Sequence, residues 1–310
     1  MKRYYGFAGV GLALDLPDGE DFSGGRELPA FACEPRAGMT DVTVRIADSL
    51  IMPEGKIRAA LPNMTEYDCG DAIVRCFGAL SDGADNAGII AEYRESGIRI
   101  TMKRSVYRKI TASAVLETIG TERLIGMAGG AILHSSFIEV GGKAVLFTAP
   151  SGTGKSTQAE LWRENRGAVV INGDRSVLRI IDSVPCASGL PYSGSSGICL
   201  NRTLPLRAIV YIEQANENTV TRLHGFAAFR KVWEGVCVNT WDSAQVSRAS
   251  DIVRKIVTSV PVCLQKCTPD LRAVETLEKE NVFFPGQIIP QGFSAGEQKL
   301  KYNIDGESLL

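Results

Sequence analysis

Residues 149–157 read Ala-Pro-Ser-Gly-Thr-Gly-Lys-Ser-Thr, a set of types and spacings suited to cradling phosphate. Ser151, Gly152, Thr153 and Gly154 are small enough for consecutive backbone N–H groups to turn inward on an anion. An apolar run at 144–147 precedes the segment and a helix-like run at 158–166 follows it. A helix N-terminus at that point adds roughly half a positive charge, beside the full charge of Lys155. Ser156 supplies a hydroxyl suited to magnesium, and Thr157 completes the pattern. Position 149 is alanine where glycine is the usual choice, a mild departure because only the later glycines must make room for phosphate oxygens.

A triphosphate bound there carries several negative charges, so Mg2+ is expected with it, together with a carboxylate that holds the ion or takes a proton from the nucleophile. Asp174 is the leading candidate, nineteen residues beyond Lys155 and just past a strand expected over 168–171, where side chains face a ligand crevice. The triplet Asn172-Gly173-Asp174 is also a turn signal in its own right. Glu213, at the end of a strand expected over 206–212, is the alternative metal carboxylate. His134 lies on the strand leading into the cradle, within reach of proton transfer if that strand pairs with the phosphate-loop strand, although a lone strand histidine is often structural. His224 reads as a surface or capping residue. Among Arg175, Arg179, Arg202 and Arg207, Arg202 is the choice for meeting a transferring phosphoryl group.

The elements that must position these groups follow from periodicity. A strand at 131–140, the two-residue turn Gly141-Gly142 and a strand at 143–149 make a hairpin, so the phosphate-loop strand has an antiparallel sequence neighbour. After the helix and the 168–171 strand, 176–181 alternates and pairs back. The glycine- and serine-rich stretch 183–203 reads as a working loop, its part from Gly189 to Gly197 able to cover the acceptor. Phe226, Phe229, Val232, Trp233 and Val236 share one helical face, and Ala249, Ile252, Val253, Ile256 and Val257 share the next. A short strand at 260–264 precedes a last helix started by Thr268-Pro269. Residues 1–127 read as a mixed α+β unit with alternating stretches at 41–47 and 98–103, and 14–39 favours turns. Residues 128–282 form the unit with the chemistry, and 283–310 reads as a loosely ordered tail.

The combination of Leu133-His134, Gly141-Gly142-Lys143, the cradle and Gly173-Asp174 resembles the catalytic domain of the HPr serine kinase/phosphorylase family, which is related in fold to the phosphoenolpyruvate carboxykinases. The resemblance covers about residues 129–280. It implies an α/β, mixed-sheet P-loop kinase core, and transfer of a phosphoryl group from ATP to a hydroxyl with Mg2+. Carried over one at a time, Gly152, Gly154 and Lys155 match the cradle, Ser156 the metal-holding hydroxyl and His134 the strand histidine. Asp174 matches the second of two acidic residues, and the first is Gly173 here. The first unit shows no match to that of the protein-phosphorylating enzymes, so the acceptor is open among a serine-like side chain, a peptide and a small metabolite. The alternative is a non-catalytic ATP-binding sensor in which nucleotide rearranges 183–203. A carboxykinase-type lyase is disfavoured, because a core of this size with two histidines offers little for a second metal site.

The whole chain sets outer bounds. Its 310 residues suffice for two packed units, and 45% hydrophobic with 22% charged residues is ordinary for a globular protein. A net charge of −1 gives no global attraction to nucleic acid or anionic lipid. No stretch approaches the run of about 20 apolar residues that a membrane helix needs. The expectation is a cytoplasmic protein without nucleic-acid or membrane partners, with self-association as a homo-oligomer left open. Eight scattered cysteines read as reduced thiols, and the Cys263/Cys267 pair lacks partners for a zinc site.

Overall fold

The computed structural model describes residues 2–17, 28–78, 87–107 and 112–280. The expected tail at 283–310 lies outside them. The chain is α/β with mixed sheets.

The first sheet has eight strands: β1 (Lys2–Phe7), β2 (Val10–Asp15), β3 (Thr40–Ala47), β4 (Lys56–Leu61), β5 (Met64–Asp68), β6 (Ile73–Gly78), β7 (Ala87–Arg94) and β8 (Gly97–Lys103). Their order is β1-β2-β3-β8-β7-β6-β5-β4, with β3 parallel to both neighbours and all other pairs antiparallel. Sequence reading found two of these eight. The others escape because their two faces are not cleanly divided: Val10, Gly11, Leu12, Ala13 and Leu14 of β2 are buried in succession, whereas β4 has no buried residue. Three helices follow: α1 (Arg104–Tyr107), α2 (Ala112–Ile119) and α3 (Thr121–Met127).

The second sheet has nine strands: β9 (Gly130–Val140), β10 (Lys143–Thr148), β11 (Val169–Asn172), β12 (Arg175–Ile181), β13 (Val184–Gly189), β14 (Thr203–Gln214), β15 (Thr219–Leu223), β16 (Val236–Cys237) and β17 (Val262–Cys267). As expected, β9 and β10 form an antiparallel hairpin, with Lys143 opposite Val140. β10 also runs parallel to β14, which runs parallel to β17, so the sheet is mixed around β10. Helices α4 (Lys155–Arg166) and α7 (Leu271–Lys279) pack on one face, and α5 (Gly225–Trp233) and α6 (Ser243–Ser259) on the other. Trp162 of α4 is fully buried against Ile138, Phe147 and Val170, a contact worth about 2–3 kcal/mol by area removed from water.

Several expectations are corrected. Six residues of the supposed loop 183–203 are strand β13 (Val184–Gly189), which pairs with β12 and β14. Its residues from Cys186 to Gly189 are buried, and the Ser188 and Thr203 hydroxyls bond each other at 2.8 Å. Val236 belongs to β16, and Phe226, read as a packing residue, is 77% exposed. The cap of α7 is Asp270, whose carboxylate accepts from the Arg272 N–H at 3.0 Å, not Thr268.

One core joins the two sheets. Leu12, Phe31, Ile100 and Leu116 cluster with Ile132, Val177, Leu190 and Tyr192. The first sheet therefore packs behind the segment that follows β13.

Candidate active site

The site begins where β10 ends. Gly152 and Gly154 adopt φ of +78° and +110°, conformations that side-chain-bearing residues rarely take, so the loop needs glycine at these two points. Gly154 is also the residue before α4, and it offers no side chain to cap the helix. The first-turn N–H groups are left to an anion or solvent. Lys155 is buried, and its Nζ donates to the carbonyls of Ala149 at 3.1 Å and Pro150 at 3.2 Å. Burial holds the Lys155 ammonium below the usual lysine range, partly offset by the charge of Asp174. Ser151, Ser156 and Thr157 are exposed, and the Thr153 carbonyl accepts from Gln214 Nε2 at 3.3 Å.

The opposite wall exists because β9 is longer than any of its partners. On one edge it pairs with β10 through residues 135–140 and with β16 at 132–133. On the other it pairs with β11 at 137–139 and β12 at 130–134. Both edges change partner at His134 and Ser135. The His134 N–H donates to the Gly235 carbonyl at 2.8 Å, the Thr148 hydroxyl donates to the His134 carbonyl at 3.0 Å, and the Ser135 N–H donates to the Asp174 carbonyl at 3.0 Å. The end of the cradle strand and the break that carries Asp174 are thus fixed on either side of one residue pair.

There His134 Nε2 stands 3.6 Å from Asp174 Oδ1, and Arg175 Nε stands 3.1 Å from Asp174 Oδ2. Burial, and next the charge of Lys155, push the His134 imidazole below its ordinary value, while Asp174 opposes them. The neutral ring is favoured, as a proton acceptor requires.

Sequence reasoning missed the residue that holds this break. Asn172 is fully buried, and its Oδ1 accepts from the N–H groups of Asp174 and Arg175, both at 2.9 Å. Its Nδ2 donates to the carbonyls of Leu190 at 2.8 Å and Tyr192 at 2.7 Å. The turn signal was legible, but the second pair of bonds is long-range. Arg175 lies over the Tyr192 ring at 4.7 Å. Two hollows flank the cradle. One of about 520 Å³ lies between Ser136, Ser156, Thr157, Gly173, Ser196 and Ile198, and one of about 370 Å³ lies between the loop and Tyr211, Glu213 and Gln214.

Arg202 does not join the other predicted residues. Its guanidinium pairs with Glu139 near the hairpin end of β9, because the chain from Ile198 to Arg202 runs along β11 away from the break, with the Leu200 N–H on the Ile171 carbonyl. Arg179 lies against Gly9, and Arg207 lies near Gly141 at the hairpin turn. Of the four arginines considered, Arg175 is the one bonded to Asp174. Glu213 is bound by Lys231 at 3.1 Å, and His224 is the exposed residue preceding α5. All eight cysteines are free thiols, and among the described residues no group of three or more His, Cys, Asp or Glu is arranged to hold a metal. No helix of the described residues is long and apolar enough to cross a membrane.

No protein-family profile matches the chain, and no curated protein does. Among solved structures it is similar to the HPr(Ser) kinase/phosphatase from Coxiella burnetii, at 12% identity and a TM-score of 0.29, over 48% of this chain and 93% of that one. This is a distant likeness of fold and does not identify a family.

Proposed function

We propose that this chain is an ATP-dependent phosphotransferase that moves the γ-phosphoryl group to a hydroxyl acceptor. The observation that carries the reading is the position of Asp174, paired with His134 and held across β9 from an uncapped helix N-terminus whose Lys155 feels its charge. An anion site thereby faces a carboxylate and a neutral imidazole, the parts needed to hold a polyphosphate and to take a proton from the attacking group.

In this reading the N–H groups of Ser151, Gly152, Thr153, Gly154, Lys155, Ser156 and Thr157 and the Lys155 ammonium bind the phosphates. The Ser156 hydroxyl and the Asp174 carboxylate are hard oxygen donors, the type magnesium accepts, and two protein ligands match its habit of taking the rest from phosphates and water. Bound there, Mg2+ would neutralise charge on the phosphate oxygens. Asp174, assisted by His134, accepts the acceptor's proton, and Arg175 restrains one carboxylate oxygen. In this reading residues 128–282 carry the chemistry, with the first sheet packed behind. The sensor alternative finds less support, since the first part of its moving segment is strand β13, paired on both sides.

The test is incubation of the protein with magnesium and γ-labelled ATP against a panel of hydroxyl metabolites and extract proteins, with calorimetry of Mg-ADP binding. Label on an acceptor and saturable ADP binding are expected. A folded protein that binds neither ATP nor ADP would refute the reading.

A further inference from the structure

Gly173 sits between the staple residue Asn172 and Asp174, and a Cβ placed on it would lie 2.0 Å from the Ser196 Oγ and 2.5 Å from the Ser196 Cβ. The Ser196 side chain therefore occupies the space that a side chain at 173 would take. Ser196 is itself fixed, donating to the Ser193 carbonyl at 2.6 Å and accepting from the Ile198 N–H at 3.2 Å, while the Gly173 N–H donates to the Ile198 carbonyl. Gly194, at φ +55°, packs on Asp174 so closely that a Cβ would be 2.8 Å from the Asp174 Cβ. From below, Asn172 holds the carbonyls of Leu190 and Tyr192, both buried in the core shared with the first sheet. Each hydrogen-bonding direction of the Asn172 amide is used, two toward Asp174 and Arg175 and two toward the covering segment.

From these contacts we infer that Asn172 is a positioning residue that locks segment 190–198 onto Asp174 as a fixed wall of the site, with Ser196 against Gly173 as the second clasp. The inference rests on the proposed phosphoryl transfer for its functional half, and on packing alone for the lock. A wall fixed in this way holds the carboxylate in place before any substrate arrives, and it sets which acceptors fit beside Asp174. It also gives Gly173 a steric reason, because any side chain there displaces Ser196.

Three variants test the lock. Asn172→Asp keeps the acceptor oxygen and turns the donors into a carboxylate facing two carbonyls. Gly173→Ala drives a methyl into Ser196, and Gly173→Ala with Ser196→Gly removes the clash. Hydrogen exchange of the 190–198 amides is read without ligand, and Mg-ADP affinity and ATP hydrolysis are read separately, with water as an acceptor that needs no identification. We expect exchange in the segment to rise by about tenfold or more in both single variants and to recover only in part in the double variant, which relieves the clash but also gives up the Ser196 bonds to Ser193 and Ile198. Hydrolysis falls by about tenfold or more at nearly unchanged ADP affinity and regains part of its rate in the double variant. Unchanged exchange in Asn172→Asp and Gly173→Ala overturns the lock. Faster exchange with undiminished hydrolysis overturns the positioning role. A parent protein that exchanges slowly in the segment but neither binds nor hydrolyses nucleotide removes the phosphotransferase reading and the catalytic half of the inference, leaving the lock alone.

Discussion

His134 Nε2 and Asp174 Oδ1 face each other at 3.6 Å although forty residues separate them, because β9 changes partners on both edges at the same pair of positions. The strand that carries His134 is continuous, while β11 and β12 are one chain interrupted by Gly173 and Asp174. The interruption turns Asp174 out of the ladder, and the Asn172 side chain replaces the lost ladder bonds. Proximity of the imidazole and the carboxylate is thus a property of register.

Asp174→Asn keeps the shape of this break and removes the charge. Mg-ADP affinity should stay within about tenfold, since Lys155 and the loop N–H groups remain, while turnover falls by about 100-fold or more, the scale of a lost general base. Calorimetry and labelled transfer measure the two effects separately, and parent-like turnover in this variant would take Asp174 out of the chemistry.

His134 gives the pH dependence its sign. Burial and the Lys155 charge depress its folded value below 6.5, so the ring is neutral through the physiological range. The kcat/KM profile, which reports the free protein, should be flat above that range and fall only on the acid side. His134→Gln should abolish that acid limb. By linkage, a depressed histidine contributes stability that is present above its unfolded value and lost as pH falls through the folded one. The parent's melting temperature should therefore drop more on acidification below 6.5 than that of His134→Gln. An acid limb that survives in the variant would assign the titration elsewhere.

Lys155→Ala removes the one ammonium at the cradle whose Nζ reaches back to the Ala149 and Pro150 carbonyls. A charge-assisted contact to phosphate is worth about 1.5–3 kcal/mol, so ADP affinity should weaken by about 10- to 100-fold and transfer should be lost. Circular dichroism should be unaltered apart from a small fall in melting temperature. Parent-like ADP affinity by calorimetry would place the phosphates somewhere other than this loop.

The glycine loop before α4, the hairpin and the break at Asp174 are legible because each is written in consecutive residues: small residues ahead of Lys155, the Gly141-Gly142 turn, the Asn172-Gly173 signal. What stayed hidden depends on partners far away in sequence. In sequence β13 reads as loop because its serine and glycine look solvated, yet Ser188 finds Thr203 across the sheet. Strand β2 shows no alternation, because both of its faces are covered. Arg202 stands near the crevice elements in sequence, but the direction of the chain along β11 carries it to Glu139.

Arg202→Ala supplies the matching negative prediction. It breaks an exposed ion pair with Glu139, which changes stability by about 1 kcal/mol or less, and it leaves ADP affinity and turnover unaltered. Arg175→Ala should lower turnover under the same assay, since Arg175 alone of the two is bonded to Asp174. A large loss of turnover in Arg202→Ala would mean that the acceptor extends to the hairpin end of β9.

The first sheet meets the second unit through charges with almost no access to water. Arg75 and Glu66 are 4% and 1% exposed, with Arg75 Nε 2.8 Å from Glu66 Oε2 and Arg75 Nη1 2.7 Å from Glu122 Oε1. Trp241 Nε1 donates to Glu66 at 3.1 Å and Asn239 Nδ2 donates to Glu122 at 2.8 Å, so the network fastens the chain between β16 and α6 to strands β5 and β6. β16, which leads into that chain, directly follows Gly235, whose carbonyl holds the His134 N–H. Arg75→Met leaves two carboxylates short of a partner and should destabilise the fold by about 3 kcal/mol, read as the shift in denaturant midpoint at constant slope. Arg58, 3.1 Å from Glu66, keeps the loss at the low end of the range for buried pairs. Removing the stranded charge as well, in Arg75→Met with Glu66→Gln, should recover a large part of the loss, because Arg58 is partly exposed and can hydrate. If the double variant is no more stable than Arg75→Met, the loss comes from packing around Tyr93, over whose ring Arg75 lies at 5.3 Å, and not from the buried charge.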